Sequence, residues 1–290
     1  MPETTFTILD GSLVAKAREQ ELFSSVASLT EKPHLVIIQV GNNPASTKYI
    51  EYKKRFAERV GAKVTHLQYA DTVTEDELVE HIQPYNSTDS VHGIIVQLPL
   101  PKHIRPWIIM DAINPKKDVD GLTSHNLRHV YENDEIILPA TTKGIFTLLE
   151  HYNIPLLGKH VVVVGRSSLV GKPTALACIN RNATVTVCHS HTKDLASVTR
   201  TADILIVAVG QPHLIKEDYI QKGCIVVDVG ITVQEDNTVA GDALMSSLSE
   251  KATAVSPVPG GVGPMTIVSL FENLLQAYKL QSSEKTEGGM

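Results

Sequence analysis

The sequence predicts an α/β protein of two domains, each built on a parallel sheet, and three observations support this fold class. Four consecutive valines at 161–164 lead into Gly165 and then into a helical stretch, which makes a strand–turn–helix unit. Residues 34–101 alternate in the order β-α-β-α-β, which gives parallel strands with right-handed crossovers. Apolar runs at 203–209 and 223–231 continue the sheet of the valine run. The 290 residues are enough for about two domains.

Hydrophobic spacing defines the elements of the first half of the chain. The predicted elements are a helix around 13–26, strands at 34–40, 64–69 and 92–97, and helices at 44–60 and 74–82. Thr74 and Glu77 stand three residues apart at the start of the last helix, which is the spacing of a capping box. Gly61 closes the helix at 44–60, and prolines stop the third strand.

One face of the helix at 44–60 carries reactive side chains. Ser46, Tyr49 and Lys53 stand at i, i+3 and i+7 and share this face, whereas Lys54 is rotated by about 100 degrees. Gln97 closes the third strand, where an apolar run turns polar. Ligands of parallel sheets bind beyond the carboxyl ends of the strands, so these residues are candidates for a site. The alternative is a surface helix with solvated lysines and a Gln97 that bonds its own loop.

The segment D-V-D-G at 118–121 is an irregular loop with two carboxylates. It fits either a metal loop or a carboxylate that binds a heterocycle rich in N–H groups. A Ca²⁺ loop needs more oxygen ligands at a longer spacing, so we expect no metal here. A plain Asp-Gly turn is the remaining alternative.

The turn after the valine strand is a candidate phosphate site. Gly165 begins it, and Gly171 opens a helix that runs to about residue 180, so backbone N–H groups and a positive helix end face one place. The spacing differs from G-x-G-x-x-G, because Ser167 stands at the second glycine and the last glycine comes one residue late. This stretch alone fits an ordinary crossover as well as a dinucleotide site.

The next strand, at 183–188, favours NADP over NAD. An NAD site places an acidic residue near the end of this strand to hold the ribose hydroxyls. Here the chain continues as His189-Ser190-His191-Thr192-Lys193, with no acid, and Arg166 stands in the preceding turn. Cations and neutral donors at this place suit the extra phosphate of NADP.

The remaining segments are connectors and a terminal helix. Residues 139–144 lead into a helix at 145–152, which we expect to join the domains. Three prolines and three glycines between Ser256 and Thr266 exclude a helix or central strand there and allow close approach of a ligand to the backbone. A final helix at 266–280 is long enough to pack back on the first domain.

Composition limits the class of protein. The net charge of −6 argues against a nucleic-acid partner, and no apolar run is long enough to span a membrane. The three cysteines have no metal-ligand spacing and suit buried, reduced thiols in a cytoplasm.

Taken together, the motifs resemble the bifunctional methylenetetrahydrofolate dehydrogenase/cyclohydrolases. The matching segments are V-G-N-N-P-A-S-T-K-Y-I-E-Y-K-K from Val40, V-Q-L-P-L-P from Val96, K-D-V-D-G-L from Lys117, V-V-G-R-S-S-L-V-G-K-P from Val163, C-H-S-H-T from Cys188 and S-P-V-P-G-G-V-G-P-M-T from Ser256. They span nearly the whole chain in the order of the family, and the last segment together with K-D-V-D-G is very specific.

This resemblance implies an NADP-dependent oxidation of methylene-tetrahydrofolate to the methenyl cation, and hydrolysis of that cation to formyl-tetrahydrofolate. It implies a catalytic Lys53 with Gln97 as its partner, Tyr49 packed on the folate rings and Asp120 on the pterin. Implied substrate contacts are Tyr49, Lys53, Val96, Gln97, Leu98, Asp120, Pro259, Gly260, Gly261, Val262 and Gly263. Implied cofactor contacts are Gly165, Arg166, Ser167, Ser190, Ile231 and Thr141.

The resemblance also implies an organisation for the whole molecule. A folate domain of residues 1–140 plus 270–290 and a Rossmann-like NADP domain of residues 141–269 would face each other across a cleft. The expected assembly is a cytoplasmic homodimer that serves one-carbon metabolism and purine biosynthesis. One segment departs from the family pattern P-C-T-P-x-G, because Ala140 and Thr142 replace the cysteine and the second proline, which leaves the rigidity of this loop open.

Two other functions remain as alternatives. Another NADP-dependent dehydrogenase of amino-acid or shikimate type would explain neither K-D-V-D-G nor P-V-P-G-G-V-G. A non-catalytic folate- or dinucleotide-binding protein would not need Tyr49, Lys53 and Gln97 together.

For the hydrolysis, an ordinary lysine with a pKa of about 10.4 is a poor base. Lys53 must be desolvated or must act as a charged donor that positions water, and the sequence does not choose between them.

Overall fold

A computed structural model describes residues 6–234, 236 and 238–287. The chain forms two compact α/β units, which confirms the predicted fold class. The Lys53 unit comprises Ala17–Ala140 and the described part of Ile267–Met290, and the Gly165 unit comprises the described part of Met1–Lys16 and Thr141–Thr266. In the described part of the chain, no helix is both long and apolar enough to cross a membrane.

The helices and strands follow in this order along the chain. Up to residue 140 they are β1 (Thr7–Ile8), α1 (Gly11–Ala27), β2 (His34–Val40), α2 (Pro44–Val60), β3 (Lys63–Tyr69), α3 (Glu75–Ser87), β4 (Gly93–Gln97), α4 (Pro106–Asp111) and α5 (Ser124–Tyr131). From residue 140 they are α6 (Ala140–His151), β5 (His160–Val164), α7 (Gly171–Asn180), β6 (Thr184–Cys188), α8 (Leu195–Thr199), β7 (Ile204–Val207), β8 (Ile225–Asp228), β9 (Thr232–Val233), β10 (Val239–Ala240), α9 (Met245–Leu248), β11 (Ala254–Val255) and α10 (Val262–Glu287).

The Lys53 unit is built on a parallel sheet of three strands in the order β3-β2-β4. All seven residues of the central strand β2 are buried, as expected for a parallel strand covered on both faces. The helix ends follow the sequence signals. The Asn43 side chain caps α2 by accepting from the backbone N–H of Ser46, and Gly61 ends this helix in the left-handed conformation. The predicted capping box of Thr74 and Glu77 starts α3.

The Gly165 unit carries a parallel sheet of six strands in the order β1-β11-β8-β7-β5-β6. The four valines of β5 are at most 1% exposed. Strand β1 pairs with β11 and thus belongs to this sheet, and the described residues before 17 belong to the Gly165 unit. This differs from the sequence-based division, which put residues 1–140 in one domain. Strand β1 has only two residues, so its hydrophobic pattern in the sequence does not show which sheet it joins.

Two helices begin earlier than the sequence predicts. Helix α10 starts at Val262, so the expectation that the glycine- and proline-rich segment excludes a helix is wrong for its last residues. Pro264 lies in the first turn, where a helix has no partner for the missing N–H. Helix α6 starts at Ala140 rather than 145. The hydrophobic spacing does not predict the short helices α4 and α5, because a helix of one or two turns shows little periodicity.

The altered segment at 140–144 is therefore the first turn of α6 and not a free loop. Thr142 is fully buried, and its hydroxyl is hydrogen-bonded to that of Thr174 on α7 at 2.9 Å. The guanidinium of Arg181 lies over the ring of Phe146 at 4.1 Å. The bond from Thr142 to Thr174 ties the first turn of α6 to α7 without the family's cysteine and second proline.

Candidate active site

The reactive face of α2 meets the end of strand β4. The Lys53 ammonium donates to Gln97 Oε1 at 2.9 Å. The amide of Gln97 donates to the carbonyl of Leu98 at 3.0 Å, and the hydroxyl of Ser46 donates to the same carbonyl at 3.1 Å. One backbone carbonyl thus holds both the helix and the amide that accepts from the lysine.

The neighbouring lysine lies in a different environment. Lys54 Nζ pairs with Glu51 Oε1 at 2.8 Å, and the Glu51 side chain is 48% exposed. An exposed i,i+3 pair of this kind contributes little to stability. The structure separates Lys53 and Lys54 along the faces that their spacing predicts.

Burial and one carboxylate set the electrostatics around Lys53. Loss of hydration lowers the pKa of Lys53, and the charge of Asp120 opposes this shift. Burial likewise raises the pKa of Asp120, and the Lys53 ammonium opposes that rise. An amine of lowered pKa releases its proton more readily than a surface lysine does, which a proton acceptor requires. The direction of this shift is the one that the desolvated-lysine alternative requires.

The two carboxylates of the D-V-D-G loop have different partners. Asp118 is 2% exposed, and its oxygens accept from the backbone N–H groups of Gly121 at 2.9 Å, Leu122 at 3.2 Å and Thr123 at 2.8 Å. The amide of Asn126 adds a fourth bond to Asp118 at 2.8 Å. Asp118 thus holds the shape of the loop, whereas Asp120 interacts with the charge of Lys53.

The other substrate candidates of the Lys53 unit differ in accessibility. Tyr49 is half-buried, and burial raises the pKa of its hydroxyl. Leu98 is half-buried, whereas Val96 is 6% exposed and belongs to the core, so only its backbone can meet a ligand. Gln39, which pairs with Gln97 across β2 and β4, was not singled out from the sequence. Gln39 is 1% exposed, and its amide donates to the hydroxyl of Thr47 in α2 at 3.1 Å. Its sequence signal is a glutamine inside an otherwise apolar strand.

The turn after β5 has the geometry of a phosphate-binding turn. Gly165 has φ of +127°, and a Cβ there would overlap the carbonyl oxygen of Ala208. A Cβ on Gly171 would overlap the carbonyl oxygen of Gly165, so the helix start lies directly against the turn. Ser167 Oγ accepts from the N–H groups of Val170 at 3.2 Å and Gly171 at 3.3 Å. The residues present therefore fit a dinucleotide phosphate at the start of α7.

The polar candidates around this turn are accessible. Arg166, Ser167 and Ser190 are exposed, and Ile231 is 41% exposed although it is apolar. Asp194, the first acid after β6, caps helix α8 by accepting from Ser197 N at 3.2 Å. That carboxylate is thus engaged away from the position of an NAD-type acid. Thr141 is half-buried in the first turn of α6.

The glycine-rich segment before α10 lies in the Gly165 unit. Gly260 has φ of +104°, and its carbonyl accepts from the N–H of Ser12 at 2.9 Å. A Cβ on Gly261 would lie 2.5 Å from the carbonyl oxygen of Pro257. Pro259 is exposed, Val262 is buried, and Gly263 is half-buried at the start of the helix. The tight path of the backbone therefore requires glycine at these positions. The same glycines are candidates for contact with a ligand.

No group of three or more His, Cys, Asp and Glu side chains that could hold a metal ion occurs among the described residues.

Two family models cover most of the chain. The catalytic domain of the tetrahydrofolate dehydrogenase/cyclohydrolases matches residues 9–120, and the NAD(P)-binding domain of the same family matches residues 139–282.

Relatives and solved structures agree with these matches. The bifunctional protein FolD of Agathobacter rectalis is 46% identical over 94% of this chain and 99% of its own. The bifunctional FolD dehydrogenase/cyclohydrolase of Campylobacter jejuni superimposes with a TM-score of 0.93 at 41% identity, over 95% of this chain and 99% of its own. The FolD of Trypanosoma brucei, solved with NADP and an inhibitor, gives a TM-score of 0.91 at 33% identity, over 97% of this chain and 99% of its own.

A shikimate dehydrogenase of Aquifex aeolicus has a TM-score of 0.53 at 13% identity, which shows a shared fold and no more. The alternative of a shikimate-type dehydrogenase is therefore not favoured. The chain belongs to the tetrahydrofolate dehydrogenase/cyclohydrolase family and is a bifunctional, NADP-dependent dehydrogenase and cyclohydrolase of one-carbon folates.

Proposed function

We propose that Lys53, Gln97, Tyr49 and Asp120 carry out the folate chemistry of this protein. The observation that supports this most is the bond from the half-buried Lys53 to Gln97 at 2.9 Å, with the charge of Asp120 near enough to affect the lysine pKa. Tyr49 offers a half-buried ring for packing on the folate, and Asp120 offers an acceptor for pterin N–H groups. A coupled assay with methylene-tetrahydrofolate and either NADP⁺ or NAD⁺ tests the reaction directly.

The dehydrogenase step asks for orientation more than for proton transfer. The folate nitrogen supplies the electrons that expel a hydride from the methylene carbon, and NADP⁺, when bound, accepts it. Gly165, Arg166, Ser167, Ser190, Ile231 and Thr141 are proposed to hold the cofactor. The protein holds the folate in place through side chains that are themselves fixed, such as Gln97 on the Leu98 carbonyl.

The cyclohydrolase step needs a proton acceptor. Water adds to the methenyl carbon while Lys53 takes one of its protons, and the bond from this carbon to N5 then breaks. One water proton ends on N5 and the other is released, which leaves the formyl group on N10. The burial that lowers the pKa of Lys53 favours this role, and Gln97 keeps the amine aimed at the site.

We further propose that the protein is a cytoplasmic homodimer whose product supplies formyl groups to purine biosynthesis. The three cysteines are buried free thiols, which suits a reducing compartment. The family resemblance supports the dimer, and sedimentation velocity would measure it. A monomer at micromolar concentration would contradict this part of the proposal.

We predict that Lys53→Met removes the hydrolysis and spares part of the oxidation. Methionine keeps much of the bulk of the lysine stem but lacks the amine, so cyclohydrolase activity should fall by about two to four orders of magnitude. Dehydrogenase activity should persist at a reduced level, with methenyl-tetrahydrofolate accumulating. Separate measurement of methenyl-folate formation and decay checks this result.

Lys54→Met is the matched control, because Lys54 pairs with exposed Glu51. It should leave both activities nearly unchanged. Hydrolysis that survives in Lys53→Met, or disappears in Lys54→Met, would contradict the assignment of the site to this helix face.

The two carboxylates of the D-V-D-G loop should separate binding from loop structure. Asp120→Ala removes the charge beside Lys53, so it should weaken folate binding and lower both activities with little loss of stability. Asp118→Ala leaves three backbone N–H groups without their acceptor and should lower the free energy of unfolding by about 2–4 kcal/mol. Urea unfolding and steady-state kinetics of both variants measure the two effects, and reversed roles would show the assignment to be wrong.

Cofactor choice should depend on Arg166. Because residues 189–193 after β6 contain no acid and the Arg166 side chain is exposed, we expect a strong preference for NADP⁺. Arg166→Ala should raise the KM for NADP⁺ more than the KM for NAD⁺. Kinetics with both cofactors measure this difference, and equal effects would place Arg166 away from the extra phosphate.

A further inference from the structure

Two aspartates without a role in the chemistry above are buried together in the Gly165 unit. Asp228 ends strand β8 and is 2% exposed, and Asp242 follows β10 and is fully buried. Burial raises the pKa of Asp228 to about 6, with a smaller contribution from the charge of Asp242, while backbone N–H groups oppose the rise. Buried carboxylates are costly unless they are fully hydrogen-bonded, so their partners indicate what they do.

The partners of Asp242 are three consecutive backbone N–H groups in the loop after β7. Its oxygens accept from Val209 at 2.7 Å, Gly210 at 3.1 Å and Gln211 at 2.7 Å. The carboxylate also lies against the loop after β8, because a Cβ on Gly230 would overlap it. One side chain thus fixes the paths of two loops that leave neighbouring strands.

The partners of Asp228 complete the arrangement. Asp228 accepts from the N–H groups of Gly230 at 2.9 Å, Asp242 at 3.1 Å and Ala243 at 2.8 Å. A Cβ on Gly241 would overlap its carboxylate. Asp228 therefore anchors the segment that carries Asp242, and Asp242 anchors the loop after β7.

The sheet topology shows which part of the cofactor these loops would meet. Strand β6 lies on one side of β5 and strand β7 on the other, so the strand order reverses next to β5, where dinucleotides bind in such sheets. Arg166 and Ser190 follow β5 and β6, which places the adenosine phosphate on that side. A dinucleotide that crosses the carboxyl ends of the strands then has its nicotinamide half over the loops after β7 and β8.

We propose that Asp228 and Asp242 are positioning residues that hold the loops at 208–211 and 229–231 in place for the nicotinamide half of NADP. Neither carboxylate touches the cofactor. Each acts by fixing backbone groups, and Ile231, a candidate cofactor contact, follows Gly230 directly. The inference rests on the proposed placement of the cofactor on the Gly165 unit.

The test compares NADPH with 2′,5′-ADP, which carries only the adenosine half and the extra phosphate. Asp242→Asn places an amide donor against backbone N–H groups and should displace the loop after β7. The Kd for NADPH, followed by its fluorescence, should rise about ten- to hundredfold. This is the size of effect that a small displacement of binding groups has in other proteins. The Kd for 2′,5′-ADP, measured by calorimetry, and the rate of methenyl-folate hydrolysis should stay within about twofold, because they use other sites.

Asp228→Asn removes the charge and keeps the shape of the side chain, so it should change the two Kd values in the same way. It tests the proposal if Asp242→Asn does not fold. Asp218→Asn is the control, since Asp218 is an exposed aspartate of the same unit. An unchanged Kd for NADPH in both variants would overturn the proposal. So would an equal loss of NADPH and 2′,5′-ADP binding together with a lower thermal midpoint, because the pair would then only stabilise the domain. Failure of the unmodified protein to bind 2′,5′-ADP would instead overturn the cofactor placement on which the proposal rests.

Discussion

Loops that flank parallel strands have backbone N–H groups with no ladder partner, and in this protein buried aspartates accept from them. Asp118 does so for the loop at 118–123, and Asp228 and Asp242 do so for the loops after β7 and β8. Each of these three carboxylates accepts three backbone N–H groups. An unpaired buried donor costs free energy, and a charged acceptor satisfies several donors at once. The positions of the candidate functional residues depend on this arrangement.

Asp120 is a half-buried carboxylate whose charge is offset by another charge instead of by backbone N–H groups. It lies two residues from Asp118, yet its counterpart is the ammonium of Lys53, and each group shifts the pKa of the other toward its charged form. Removing Asp120 would take this favourable charge away from Lys53, but both side chains are half-buried, so water can still hydrate the group that remains. One loop therefore contains a carboxylate held by backbone N–H groups and a carboxylate that interacts with the charge of Lys53.

The cofactor side depends on close backbone approach. At Gly165, Gly171 and Gly230, an added Cβ would overlap a carbonyl oxygen or a carboxylate, so these glycines allow loops to lie directly against one another. A turn packed in this way presents its N–H groups in fixed directions. Arg166 and Ser190 are exposed and are the proposed source of the charge and the hydroxyl that a cofactor phosphate would contact.

The sequence by itself determined the two α/β domains, the main strands and the shared face of Ser46, Tyr49 and Lys53, because these follow from local periodicity and helix geometry. It also contained the segments that mark the family. The family resemblance implied Gln97 as the partner of Lys53, and the tertiary structure brings the two side chains, 44 residues apart, to 2.9 Å. Only the tertiary structure decided that Asp118 and Asp120 have different partners. It also decided that strand β1 joins the second sheet and that Asp242 binds the loop after β7. These facts depend on contacts between segments distant in sequence and on the loss of hydration, and neither is written in the spacing of residues along the chain.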